Sequence, residues 1–263
     1  ILNVLLKQYV DTSGEPVKIL EAYLSFMTQQ KFGTLSLTDD EFFDEKIFLN
    51  VSSMKNLWVD FGYDAIILFN AVLLKKRILV VGDTITNLLN VIRTLPQFVL
   101  HRGVGPFSDA AFSLLRPIVL ESSQMQLDGL SQAGVYIAGT LDPRLTTHKN
   151  IKYDIVVSLS ERRITIASEA ENDMRMCSFH KEVANHIVSI TNIEESKSIN
   201  TTNIDIINSL NEFTLKAIKQ IQTLGSNGIA EIKNSSTSQF LQRLAASEGL
   251  LSIDADATVE ESI

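Results

Sequence analysis

Residues 71–96 read AVLLKKRILVVGDTITNLLNVIRTLP, and the order of apolar, charged and polar positions in this stretch decides the fold class. An apolar helix bearing Ile66, Ile67, Leu68, Val72, Leu73 and Leu74 stops abruptly at Lys75-Lys76-Arg77. Residues 78–81 are then a continuous apolar run rich in β-branched side chains, the pattern of a strand covered on both faces. Gly82-Asp83-Thr84 supplies a turn and a candidate N-cap, after which Leu88, Leu89, Val91, Ile92 and Leu95 resume helical spacing. Helix, basic turn, buried strand, polar turn and helix in succession predict an α/β sheet core. The two junctions flanking the strand are where a ligand or partner would be met.

Composition narrows the function classes. The chain has 263 residues, 45% hydrophobic and 21% charged, enough apolar content for one large core or two small ones. A formal net charge of −8 argues against general binding to a phosphate backbone, which requires a basic surface. A local basic patch remains able to meet something acidic. The single cysteine, Cys177, cannot close an internal disulfide, so a reducing compartment is expected and the thiol reads as a buried structural group. No run reaches the ~18 consecutive apolar residues of a membrane span. Residues 1–10 read as the interior of a helix and not as a signal peptide, so the chain is expected to start within a longer protein.

Working outward, Gly14-Glu15-Pro16 breaks the chain, and Val17, Leu20, Tyr23, Leu24 and Met27 restart a helical stripe. Residues 34–48 mix Asp39, Asp40, Glu41, Asp44 and Glu45 with phenylalanines. The carboxylates read as a solvated helix start, because neither a histidine nor a glycine-bearing ligand loop accompanies them. Met54, Leu57 and Trp58 open another helix. After Pro96 short strands are predicted at 98–100, 118–120 and 135–138, followed by a hairpin of 153–159 with 164–167 across the polar turn 160–163. Met174, Met176, Phe179, Val183, Ile187 and Ile190 mark a helix, 192–202 a loop, and 204–221 a long amphipathic helix. A break over 225–238 precedes a short helix over 239–251, and the acidic tail 254–263 is expected to be disordered. The predicted organisation is an α/β part over 1–167, a mostly parallel sheet flanked by helices, and a helical part over 168–253.

Neither glycine-bearing turn makes a nucleotide cradle. Gly82-Asp83-Thr84 has one glycine, and Gly103-Val104-Gly105 lacks the third that a dinucleotide fingerprint needs. His180 and His186 are six apart and so on different helix faces, unlike a metal-binding pair at i, i+4. His101 and His148 stand apart from both, and no G-x-S-x-G elbow activates a serine. No catalytic residue, metal or cofactor is therefore expected. Lys75-Lys76-Arg77 carries two readings: cations complementing the negative end of a helix dipole, or a basic rim suited to an acidic partner or a phosphate.

The block AVLLKKRILVVGD, continued by RTLPQFVLHR over 93–102, resembles the core of the DENN domain. The similarity extends to GEPVKILEAYL (14–24), VYIAGTLD (135–142), YDIVVSLSERRITIA (153–167), FHKEVANHIV (179–188) and FLQRLAASEGLL (240–251). Within the family the pattern is most similar to one branch, the DENN domain-containing protein ten (FAM-forty-five) group. The resemblance implies the C-terminal α/β lobe and helical end of a DENN module, without its N-terminal longin-like lobe. It implies binding to a Rab GTPase, with exchange of guanine nucleotide through tighter binding of the nucleotide-free state. For this branch it also implies docking on coiled-coil subunits of a Commander-type endosomal recycling assembly. His101 stands where many DENN domains carry a Trp, and the Pro-rich segment that usually follows is reduced to Gly105-Pro106-Phe107.

Three readings follow. The leading one is an adaptor in endosomal trafficking, cytoplasmic and on late endosomes, held by coiled-coil partners. The second is a Rab exchange factor, and the third a small-molecule α/β enzyme, for which no motif is present. No nucleic acid is expected, and membrane association is expected only through partners. Lys75, Lys76, Arg77, Asp83, His101 and Arg102 are the expected partner-contact residues.

Overall fold

A computed structural model describes residues 53–102, 134–191, 202–230 and 235–250 in continuous runs. Shorter pieces lie at 15–29, 31–32, 35–36 and 117–119, with isolated positions at 5, 9–10, 130, 132 and 232. The elements are α1 (Pro16–Gln29), β1 (Lys31–Phe32), β2 (Leu35–Ser36), α2 (Met54–Phe61), α3 (Ala65–Leu73), β3 (Ile78–Val81) and α4 (Ile85–Thr94). They continue with β4 (Pro117–Val119), β5 (Ile137–Thr140), β6 (Ile155–Ser158), β7 (Arg163–Ile166), α5 (Ser178–Thr191), α6 (Asn203–Ala230) and α7 (Ser235–Ser247). β1 and β2 form a separate two-stranded antiparallel ribbon. The acidic stretch at 34–48 apart from residues 35–36, the loop at 192–202 apart from residue 202, and the tail at 254–263 lie outside the described residues.

Among the described residues the central sheet has five strands in the order β4-β5-β3-β6-β7. β4, β5, β3 and β6 run parallel, and β7 returns antiparallel on β6. The fold is thus α/β, with a mostly parallel sheet between helices and a helical C-terminal part. Strand β3 sits at the centre because its side chains are apolar at every position, and all four are buried. Ile78 and Val80 join Ile137, Ile155 and Val157 on the face packed by helices. Leu79 and Ala138 face the opposite way and meet Tyr136, Leu145 and Ile151 from around the long β5–β6 crossover. Tyr153 secures that crossover by donating its hydroxyl to the Thr146 carbonyl at 3.0 Å.

Gly139 has a packing role. A Cβ placed there would lie 2.8 Å from Leu88 Cδ1, 3.0 Å from Leu88 Cγ and 3.2 Å from Ile92 Cγ2, so the missing side chain is what lets α4 sit flat on the sheet. Thr84 starts that helix as expected, its hydroxyl accepting from the Asn87 amide at 3.3 Å.

Three expectations shift, and the first is the helix expected from Met174, which starts only at Ser178, with Met174 and Met176 in the connection before it. Residues 98–100 are not a strand. They lie inside a 3-10 segment, Leu95–Arg102, with a kink at Val99. Pro96 fixes φ in a helical range, and Phe98 is buried edge-on against Phe69 at 5.7 Å, so the segment packs under α3 instead of extending along the sheet. The break expected over 225–238 is shorter. Gly225 adopts φ 62° and interrupts α6, helical turns continue to Ala230, and α7 starts at Ser235.

The apolar core runs without interruption from Met54 to Ala245. A relay of rings joins its halves: Phe98 on Phe69, Phe69 6.4 Å from Phe179, and Phe179 stacked 5.0 Å from Phe240 of α7. The α/β part and the helical part therefore share one interior.

Candidate functional site

The turn after α3 is built by a helix ending that usually requires glycine. The Lys76 amide donates to the Ala71 carbonyl at 2.9 Å and the Lys75 amide to the Val72 carbonyl at 3.2 Å, a Schellman pair. Lys75 occupies the left-handed position at φ 52°. The turn stands at the N-terminal edge of the parallel strands, where β3 and β6 enter the sheet side by side.

Each cation there has a distinct environment. The Arg77 guanidinium grips Asp154 with two bonds, Nη2 to Oδ1 at 2.7 Å and Nε to Oδ2 at 3.1 Å, while its backbone amide adds a third to Oδ2 at 2.8 Å. The β3–β6 register pairs Ile78 with Ile155, which puts the residues before them next to each other. Burial pushes the Asp154 carboxyl up, but the hydrogen bonds and charge of Arg77 outweigh it and hold the group below its ordinary range. Lys76 pairs with Asp173, whose other carboxylate oxygen takes Arg243 of α7 at 3.3 Å.

Arg102 and His101 are interior residues, each with a side chain only 4% exposed. Arg102 donates to the Leu73 carbonyl at 2.7 Å and the Val72 carbonyl at 3.3 Å, satisfying the last turn of α3. Its Nε bonds Glu248 Oε1 at 3.0 Å, and His101 Nε2 meets the same oxygen at 3.0 Å. Burial raises the Glu248 carboxyl, yet the His101 and Arg102 hydrogen bonds bring it down to about 2. Glu248 follows the last turn of α7, so this cluster ties the C-terminal helix to α3.

Lys75 differs from its neighbours. Its ammonium makes no hydrogen bond or ion pair among the described residues. Burial lowers its pKa first, and the Arg102 charge lowers it further against the opposing pull of Glu248. Asp83 lies elsewhere, beyond the far end of β3, about 13 Å of strand away. It borders a cleft of about 330 Å3 between α2 and α4, where Arg162 of the β6–β7 turn meets Asp60 at 3.4 Å.

The structure therefore brings together Lys75, Lys76, Arg77, His101 and Arg102 and leaves Asp83 apart. It adds four residues that sequence reasoning missed: Asp154, Asp173, Arg243 and Glu248. Of these only Asp154 had a local signal, an acid at the entrance of a strand predicted to lie in the same sheet as the one Arg77 enters. Around this edge, among the described residues, five full cations (Lys75, Lys76, Arg77, Arg102, Arg243) face four carboxylates (Asp154, Glu169, Asp173, Glu248), a small positive excess on a chain of net charge −8.

The histidines are dispersed. His148 lies in the crossover, and His186 rests on the Phe213 ring at 5.4 Å. His180 is 1% exposed, its Nδ1 accepting from the Cys177 amide at 3.1 Å with Cys177 Sγ at 3.2 Å. This bond reaches back over the start of α5 in the manner of a capping box. Cys177 is buried, and among the described residues no His, Cys, Asp or Glu group is arranged to hold a metal. No described helix is long and apolar enough to cross a membrane.

Comparison with known proteins finds similarity over the residues that carry the sheet just described. Residues 51–168 match the family model described as SPA, Stabilization of polarity axis. DENN domain-containing protein 10 of Dictyostelium discoideum is 29% identical over 252 residues, covering 90% of this chain and 65% of that protein. The protein of the same name from Danio rerio is 29% identical, covering 95% of this chain and 71% of its own length, and that from Homo sapiens 28%, covering 95% and 70%. The chain thus spans about two thirds of the length of these relatives. The similarity covers 90–95% of this chain, so it takes in the cation turn, the buried strand and the helical C-terminal part, and the chain is similar along this length to DENN domain-containing proteins.

Proposed function

We propose that the protein is an adaptor in endosomal trafficking that docks on acidic, coiled-coil subunits of a Commander-type assembly. The observation that carries this reading is the positive edge at the start of the parallel strands, with the Lys75 ammonium unpaired among the described residues of an otherwise acidic protein. The neighbouring cations are fixed by internal carboxylates, which gives the edge a rigid shape and leaves one ammonium to seek an external partner. Partial burial of Lys75 strengthens that contact, because a charge already stripped of some water loses less on docking.

Rab binding with nucleotide exchange is the second reading, favoured by the similarity to DENN domain-containing proteins. It too requires no covalent chemistry of the protein. An exchange factor binds the nucleotide-free GTPase more tightly, and linkage weakens nucleotide affinity by the same factor.

The test is capture of the full chain by immobilised coiled-coil subunits, comparing wild type with Lys75→Glu. Lys75 is the informative position, since Lys76→Glu would place a second carboxylate against Asp173 and perturb the fold. Loss of capture by a stably folded Lys75→Glu protein is expected. Unchanged capture would remove this edge from the interface. Release of a fluorescent guanine nucleotide from a Rab panel tests the second reading, and no acceleration for any member would dismiss it.

A further inference from the structure

The chain leaves the neighbouring strands β3 and β6 in opposite directions. After β3 it runs into α4, which rests on Gly139 of β5, and after β6 it turns the other way into β7. Such a divergence opens a crevice beyond the C-terminal ends of parallel strands, where α/β sheets hold their ligands. The cleft of about 330 Å3 lies at this point: Asp83 follows β3, and Leu159 and Ser160 follow β6. It stands at the opposite end of the strands from Lys75, so a ligand here is independent of the basic edge.

The walls have the wrong polarity for helix packing. α2 contributes Asn56 and Asp60, four apart, and α4 contributes Asn87 and Asn90, three apart, so each pair shares one helix face. A helix face directed at a neighbouring element is ordinarily apolar. Here only part of the lining is, from Leu57 and Val91 among others. The spacing of the two helices is held where α2 starts and α4 ends, by the Ser53 amide donating to Thr94 Oγ1 at 2.9 Å.

Charge decides what the cleft can take. Asp60 meets Arg162 at 3.4 Å, while Asp83 has no ion pair among the described residues, so two carboxylates and one guanidinium leave a single negative charge. Lys55 and Arg93, the other charges of the two helices, are not part of the lining. Glu161 and Arg163 border a separate hollow with Tyr153 and Thr165. The carboxamides of Asn56, Asn87 and Asn90 have no hydrogen-bond partner among the described residues, and their oxygens add acceptors to the Asp83 carboxylate. Unpaired acceptors beside apolar surface match a guanidinium on a hydrocarbon stem, which offers five N–H donors and no acceptor. Arg162 on Asp60 is one such group already seated at the cleft.

We propose that this cleft is a guanidinium-binding site, taking an arginine side chain or a free guanidine with its cation on Asp83 and its N–H groups on the carboxamide oxygens. NMR of the full chain during titration with L-arginine, with a blocked tripeptide carrying arginine at its centre, and with the citrulline form of each tests this. Citrulline keeps the shape of the side chain and removes its charge. The arginine ligands are expected to shift the side-chain amide signals of Asn87 and Asn90 saturably, and the citrulline forms to bind about tenfold more weakly. Asp83→Asn is expected to lose the response with an unchanged circular dichroism spectrum. Arg162→Ala, which frees Asp60, is expected to bind arginine more tightly. Tighter binding of the tripeptide than of L-arginine supports a side chain presented by a partner protein, and the reverse supports a free small molecule. Equal binding of citrulline, or an Asp83→Asn protein that binds like wild type, overturns the proposal by removing charge from the recognition. Weaker binding by Arg162→Ala also overturns it, since the cleft would then be using its own cation to hold the ligand. The absence of a saturable shift with either arginine ligand overturns it outright.

Discussion

Replacing Arg102 by alanine separates an internal cross-link from a surface contact. The side chain is 4% exposed and donates to two carbonyls at the end of α3 and to Glu248, itself 12% exposed. Removing it strands a nearly buried carboxylate with His101 as its remaining partner, and breaking a buried pair from one side costs about 3–5 kcal/mol. The freed Val72 and Leu73 carbonyls add to that, with Val72 keeping the Lys75 amide as a donor. We expect the lower end of the range, about 3 kcal/mol, because the end of α7 can loosen and let Glu248 reach water. For a chain of this size that is a fall in Tm of roughly 6–12 °C. Urea unfolding measures the loss, and hydrogen exchange should show the earliest opening over 235–250. Arg144→Ala is the matched control, since that side chain is 88% exposed and its pair with Asp142 is solvated. An Arg102→Ala protein as stable as the Arg144→Ala control would refute the interior role of Arg102.

Three further outcomes follow from the same structure. Lys75→Gly should stabilise the protein by about 1 kcal/mol, because a left-handed backbone costs a side-chain-bearing residue roughly that much, and unfolding midpoints will show it. Gly139→Ala should destabilise by about 1–3 kcal/mol through overpacking against Leu88 and Ile92, measurable in the same assay. Burial lowers the His180 pKa from 6.5 to about 4, so the folded protein takes up this proton less readily than the unfolded chain. Its contribution is whole above pH 6.5 and is lost as pH falls through 4, on the order of 3 kcal/mol in total. Glu248, held down to about 2 in the fold, loses its own contribution lower, between its usual 4.5 and 2. His180→Asn should therefore flatten the stability profile between pH 6.5 and 4 while leaving the fall below 4.5 in place.

The sheet was legible because its signals are local. Four consecutive apolar residues at 78–81 can be buried on both faces only at the centre of a sheet, and Thr84 announces the helix that follows. The 153–167 hairpin was legible for the same reason. Residues 98–100 misled because a three-residue apolar run fits a strand or a buried turn equally well, and the choice was made by packing on Phe69, which is 29 positions away. The cation turn was visible as a cluster of charge, but its internal partners were not. Asp154, Asp173 and Glu248 lie 77 to 173 positions from Lys75–Arg77 in the chain, and no local pattern specifies such pairings. Lys75 also hid the turn itself, since a Schellman ending is ordinarily marked by glycine. Gly139 shows the reverse, a glycine just past the strand expected over 135–138 that no local pattern singled out and that is needed for the closeness of α4.

The central claim is that the start of the parallel strands is a positive edge at which Lys75 is the cation without an ion-pair partner among the described residues. Titration of the full chain with purified coiled-coil subunits, wild type against Lys75→Glu, tests it most directly. Lys75→Glu is expected to bind with an at least tenfold weaker Kd, equivalent to about 1.4 kcal/mol, with an unchanged unfolding midpoint and a shallower dependence on salt. Equal affinities for the two proteins at low salt would contradict it.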